Sequence, residues 1–318
     1  MAQRRGGPAS SRIPPLSPGL SAASLPLGEI AALGAAALWA VSTIIWTRQM
    51  EVSWPQAMNL FKTGLCLPLF IVTLLATGAG RSFLEIGAPA IGILLVSGII
   101  GMSLGDTAYF SALTRIGARR TMLIQCLAPL FAALLSAALG EPLPGAIAAS
   151  GVLLVLLGLI LVLRERPVGV IHPSRARSGI LLAMTAALCQ ALGIVLTKKG
   201  LAHATVLQAS TIRIAGGVMG ILLLELLHGQ LTATVRHALR PPSLGRIVPA
   251  ALMGSFLGFF LFQEAVRHTE PAVAAALTGT SPLFVAPLSV LFLGEMMRAG
   301  GWVGTILAVA GVVVAMLG

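Results

Sequence analysis

Apolar residues in this chain run in stretches separated by short polar or charged connections. A bilayer core needs about twenty mostly apolar residues per helix. That rule places spans at 29–46, 57–76, 89–109, 120–139 and 145–163, and a second set at 179–197, 207–227, 247–266, 272–293 and 300–317. Ahead of them MAQRRGGPASSRIPPLSPGL carries Pro, Gly, Ser and Arg but no apolar run, so residues 1–28 read as a disordered basic, Pro-rich tail. No apolar core with a small-residue cleavage site is found there, which argues against a cleaved signal peptide. The charged stretch RERPVGVIHPSRARS, 164–178, reads as a linker between the two sets. The expected fold class is an all-α integral membrane protein of about ten transmembrane helices, with halves at 29–163 and 179–318.

The halves repeat one another. APLFAALLSAALGE at 128–141 returns as SPLFVAPLSVLFLGE at 281–295. Ala36–Leu38 with Thr47 returns as Ala186–Leu188 with Thr197. Gly101 and Gly105 return as Gly254 and Gly258, and Gly151 and Gly158 as Gly304 and Gly311. Most offsets lie between about 150 and 154 residues, so the repeating unit is a half-molecule and not a solenoid turn. Five spans per half is an odd number, so the second half must enter the membrane from the opposite side. Two inverted five-helix repeats about an axis in the membrane plane form an architecture of secondary transporters.

Composition settles the solvent and leaves the orientation contested. Hydrophobic residues make up 57% of the chain and charged ones 10%, which sets lipid against its outer surface. The net charge of +11 comes from Arg in the tail and loops. Those residues are scattered between apolar segments, so anionic lipid headgroups and not nucleic acid are the expected partners. With a cytoplasmic N-terminus, more Arg falls outside than inside, and the positive-inside rule alone prefers the reverse. Cys66, Cys126 and Cys189 each stand in an apolar stretch and make neither a disulfide framework nor a metal spacing.

The Leu-Gly-Glu endings, Leu139–Glu141 and Leu293–Glu295, each follow a mid-span Pro-Leu-Phe and precede a Gly-x6-Gly helix. In this the chain resembles EamA domains, and two in tandem resemble the drug/metabolite transporter superfamily over roughly 29–317. The resemblance implies a ten-helix inverted-repeat fold in a bacterial plasma membrane, with both termini cytoplasmic. It also implies export or exchange of small organic solutes, without naming one.

Candidate site residues come from polarity and proline at membrane depth. Pro129 and Pro282 lie at equivalent mid-span positions, and each frees a carbonyl, of Gln125 and Thr278 respectively. Broken backbone in a membrane is tolerated where it lines a cavity or finds protein partners. A solute site built from Gln125, Thr278, Thr280 and Ser281 is one reading; packing kinks re-satisfied by neighbouring hydroxyls is the other. Lys62 and Asp106 are expected to pair near one face, and Arg213 and Glu264 near the opposite face, because ionised groups in hydrocarbon are costly alone. Such pairs can gate or couple transport, or serve only as structural ties. Trp39, Asn59 and Gln190 are further substrate-binding candidates, with helix packing as the alternative. Tyr109 and Gln263 are polar within spans as well, and Tyr109 is expected near the interface.

The leading functional expectation is a secondary transporter for a small-molecule solute working by alternating access, with a proton or other gradient as driver. An uncoupled facilitator or exchanger is the alternative within transport, and a membrane enzyme or lipid-handling protein the alternative outside it. No HExxH, GxSxG or phosphate loop occurs, so neither catalysis nor a cofactor is expected. The glycine-bearing fifth and tenth spans are expected at the bundle edge or against a second subunit, which leaves room for a homodimer.

Overall fold

The computed structural model describes residues 27–50, 52–80, 83–138, 145–164, 173–241, 243–268, 277–294 and 296–317. Among them regular structure is helical throughout. The first half comprises α1 (Leu27–Gln49), α2 (Pro55–Ala76), α3 (Ala88–Gly98), a π turn (Ile99–Gly105), α4 (Asp106–Gln125), α5 (Ala128–Ala138) and α6 (Ala146–Arg164). The second comprises α7 (Pro173–Gly200), α8 (Val206–Leu227), α9 (Leu231–Leu239), α10 (Leu244–Ala250), a second π turn (Ala251–Gly258), α11 (Phe259–His268), α12 (Ser281–Leu293) and α13 (Ala299–Leu317). Among the described residues, six helical stretches are long and apolar enough to cross a membrane: Leu27–Gln49, Pro55–Ala76, Ala88–Gln125, Arg175–Gly200, Val206–Leu227 and Leu244–Ala265. Shorter apolar helices cover Ala149–Val162, Ser281–Leu293 and Ala299–Val314. The protein is an integral, multi-pass membrane protein.

Local chemistry sets the boundaries. Pro55 opens α2 at a position whose N–H has no intrahelical partner to lose. Thr205 and Gln208 form a reciprocal capping box at the start of α8. Gly117, with φ 77° and ψ 173°, breaks α4 into two helical segments. The helical stretch Ala88–Gln125 runs well past the apolar run, so Asp106 and Tyr109 lie inside that stretch and not near its end. Pro173 begins α7 within the stretch read as linker, while 165–172 lie outside the described residues.

Helix contacts obey one exchange rule. Residue 55 begins one 22-residue helix and residue 206 another, so α2 and α8 correspond at an offset of 151. α1 packs on the second π turn, α11 and α12, and its counterpart α7 packs on the first π turn, α4 and α5. α2 meets α8, and α6 meets α13, each across the exchange. The α6–α13 contact explains the paired glycines. A Cβ on Gly304 would meet the Gly158 carbonyl, and one on Gly311 the Gly151 carbonyl. These glycines bring the two helices onto each other.

Candidate functional site

Both π turns carry the paired glycines, Gly101 and Gly105 in one, Gly254 and Gly258 in the other. A π turn widens the helix and leaves carbonyls open to neighbouring donors. Asn59, with no exposed surface, donates through Nδ2 to the carbonyls of Met102 (2.8 Å) and Ser103 (3.3 Å) and to the Thr107 hydroxyl (2.9 Å). On the second turn, Trp39 Nε1 donates to the Gly254 carbonyl at 2.9 Å and Ser42 Oγ to that of Ala250 at 2.8 Å. Trp39 also packs on Phe262, ring centroids 5.6 Å apart, and a Cβ on Gly258 would come within 3.0 Å of the indole. The corresponding contact in the other half is Gly105 against Cys189, likewise 3.0 Å. Asn59 and Trp39 therefore secure the π turns. Trp39→Phe keeps the ring contact and loses the hydrogen bond. We expect unfolding in detergent to show a loss of about 1 kcal/mol with flux within about twofold of wild type; a collapse of flux would assign Trp39 to the solute.

Around the first π turn stand the charges. Lys62 Nζ donates to Asp106 Oδ2, and it also lies 5.3 Å from the centroid of the Phe110 ring. Asp106 begins α4 directly after the π turn, so the wide turn aims it at α2. Arg213 on α8 is 5% exposed and lies 5.7 Å from the centroid of Phe259, within electrostatic reach of Asp106. Its Nε is buried without a hydrogen-bond partner. Gln190 joins this group: a Cβ placed on Gly101 would stand 3.6 Å from Arg213 Nη2 and 3.8 Å from Gln190 Oε1.

The expected pair of Arg213 with Glu264 does not form. Glu264 Oε2 instead lies 3.3 Å from His268 Nε2 one helical turn on. Its neighbour Gln263 donates to Ser210 at 3.1 Å. Arg213 lies beside Gly101 of the first π turn and within electrostatic reach of Asp106, so Lys62, Asp106 and Arg213 stand together and not at opposite faces.

A second locus lies where the spans bearing Pro129 and Pro282 are interrupted. Each interruption is a two-residue turn: Cys126–Leu127 separate α4 from α5, and Gly279–Thr280 precede α12, with Cys126 and Thr280 still at right-handed helical angles. Pro129 and Pro282 each stand second in the restarted helix, where a missing N–H leaves no ladder bond unmade. The Thr278 carbonyl accepts from Ser281 Oγ at 2.7 Å and the Leu277 carbonyl from Thr280 Oγ1 at 2.6 Å, so the hydroxyls re-satisfy freed backbone. Gln125 Oε1 is buried without a partner. The breaks touch: Cys126 Sγ lies 3.9 Å from the Gly279 carbonyl, and these residues are equivalent in the repeat. Tyr109 OH, 2.8 Å from Thr43 Oγ1 and 3.0 Å from Met122 Sδ, bridges toward this locus from the helix bearing Asp106. Glu141 and Glu295 lie outside the described residues.

Two groups went unnoticed in the sequence. Phe259 faces Arg213, and the repeat offset alone assigns it to the Asp106 position. Glu225, 8% exposed, accepts from Thr234 at 2.6 Å and ties α9 to α8; nothing in its sequence context signals that contact.

The family model described as the EamA-like transporter family matches residues 26–164 and again 177–317. No curated protein matches the chain. Among solved structures, a crystal structure of a protein shares the fold at a TM-score of 0.63 and 20% identity, covering 92% of this chain and 98% of that one.

Proposed function

The chain belongs to the EamA-like transporter family, and from that premise we propose that it is a secondary transporter exporting small organic metabolites, amino-acid-like compounds among them, by alternating access. This reading uses ten spans in two inverted five-helix halves, in a bacterial plasma membrane, with both termini cytoplasmic. One observation carries it. The Lys62–Asp106 pair and Arg213 form a charged layer where helices of both halves meet, at the turn that widens the third span. Ionised groups at such a depth mark a solute or ion pathway. The touching interruptions at Cys126 and Gly279 supply discontinuous helices at the repeat interface, where transporter halves rock around a fixed site.

Asp106 is the proposed proton carrier. Protonation there would release Lys62 and change the charge of the layer, whereas Glu264 has its His268 partner away from Arg213. Reconstituted into proteoliposomes and offered amino acids, sugars and cationic dyes, the protein is expected to move one class in proportion to an imposed pH gradient. Asp106→Asn is expected to make that flux indifferent to the gradient. Wild-type flux indifferent to the gradient would favour an uncoupled facilitator or exchanger, and no flux of any class would count against transport.

A further inference from the structure

The two halves do not treat their buried cations alike. Lys62 is the eighth residue of α2 and Arg213 the eighth of α8, so each occupies the same place in its half. Across from Lys62, the residue that follows the first π turn is Asp106; across from Arg213, the residue that follows the second is Phe259. Lys62 pairs with Asp106, and the Arg213 guanidinium lies over the Phe259 ring. The second half thus keeps the cation and carries a phenyl ring in place of the carboxylate.

We propose that Arg213 takes its missing counter-charge from the solute, and that the solute class is a small organic monocarboxylate. This rests on the transport reading and names the substrate of that same site. The guanidinium runs between Gly101 and Gly193, close enough that a Cβ on either would stand in ordinary van der Waals contact with Nη2, at 3.6 Å and 3.5 Å. Arg213 is buried, with Nε unpartnered, and a planar guanidinium suits a carboxylate in two-point contact.

Gln190 gives the ligand its path. It lies nine residues beyond Leu181 on α7, half a helical revolution from that outward-facing leucine, yet it is exposed. An exposed amide on the inward face lines space within the bundle beside Arg213, and it can hydrogen-bond a solute hydroxyl or the carboxylate. The charge count fixes the valence. Two cations and one carboxylate leave a surplus of one positive charge, matched by a single carboxylate. Asp106 is already held by Lys62, so an ammonium group finds no unpaired carboxylate among these residues.

Matched probes test this without requiring a mutant. Gluconate against glucose and lactate against lactamide differ chiefly in the carboxylate, and each pair is measured for proteoliposome flux over empty-liposome leak and for binding by tryptophan fluorescence. The carboxylate of at least one pair is expected to exceed its neutral partner by about tenfold or more, with that preference lost in folded Arg213→Gln and partly kept in Arg213→Lys. Equal handling within both pairs would overturn the assignment, as would a folded Arg213→Gln that keeps the preference or a glucose 6-phosphate signal above that of gluconate. Should Arg213→Gln fail to fold, the wild-type pairs decide alone. Carboxylate-selective binding without flux would leave the assignment standing and sink the transport reading, whereas selective flux supports both.

Discussion

Asp106→Ala is expected to cost the protein both stability and transport, while Lys62→Met combined with Asp106→Leu restores only the first. The Lys62 side chain is 9% exposed and that of Asp106 27%. Removing the carboxylate strands the ammonium in a site from which water is largely excluded. Breaking one side of such a pair costs about 3–5 kcal/mol, and the partial exposure of Asp106 favours the lower end. Replacing both partners by apolar side chains of similar volume removes the stranded charge, and such exchanges are often neutral or stabilising. Thermal unfolding in detergent should therefore rank the double variant near wild type and well above the single one. Flux should fall about a hundredfold or more in both, because each lacks the carboxylate that carries the proton and balances the charged layer. A double variant that recovers flux along with stability would reduce the pair to a structural tie.

The same pair shows what the sequence carried. Two facts place Lys62 opposite Asp106: apolar runs long enough to span, and the antiparallel neighbouring helices that short connections impose. The halves and their correspondence were equally legible, since matching glycines and Pro-Leu-Phe motifs report like positions whatever the three-dimensional arrangement. The place of Arg213 is not legible in its own span, because it is set by the glycines of other helices, Gly98, Gly101 and Gly193, that lie against it. The break at Gly117 is equally hidden, since it lies in a backbone angle that the apolar run does not register. The π turns were hidden for a related reason: each side-chain pattern reads as ordinary helix, and the wider turn is held by donors from other helices, Asn59 on one and Trp39 with Ser42 on the other. The interruption at Pro282 follows the reading of hydroxyls that re-satisfy freed backbone, since Thr280 and Ser281 each bond a carbonyl three residues back. Phe259 is an ordinary apolar residue of a membrane span, and only the repeat offset, which sets it at the Asp106 position, distinguishes it.

Gly98→Ala should be far more damaging than its size suggests, and Gly92→Ala on the same helix supplies the control. A Cβ on Gly98 would overlap the backbone carbonyl of Arg213 itself, and one on Gly216 would meet the backbone of Leu95. Here α3 and α8 touch backbone to backbone, so no rotamer change can make room and the helices must separate. Overpacking in a dense interior costs typically about 1–3 kcal/mol, and a backbone obstacle puts Gly98→Ala at or above the top of that range. Gly92 has nothing within 4 Å of its added Cβ, so the same methyl there should leave stability unchanged or raise it by up to about 1 kcal/mol through helix propensity. The separation reaches the proposed site directly. Gly98 bears on the carbonyl of Arg213, so pushing α8 outward moves the guanidinium away from Gly101 and Gln190. In Gly98→Ala, residual folded protein is therefore expected to bind the carboxylate probes about tenfold more weakly or worse, in step with its lower unfolding temperature. Equal unfolding temperatures for the two alanine variants would show that α3 and α8 do not make this close approach.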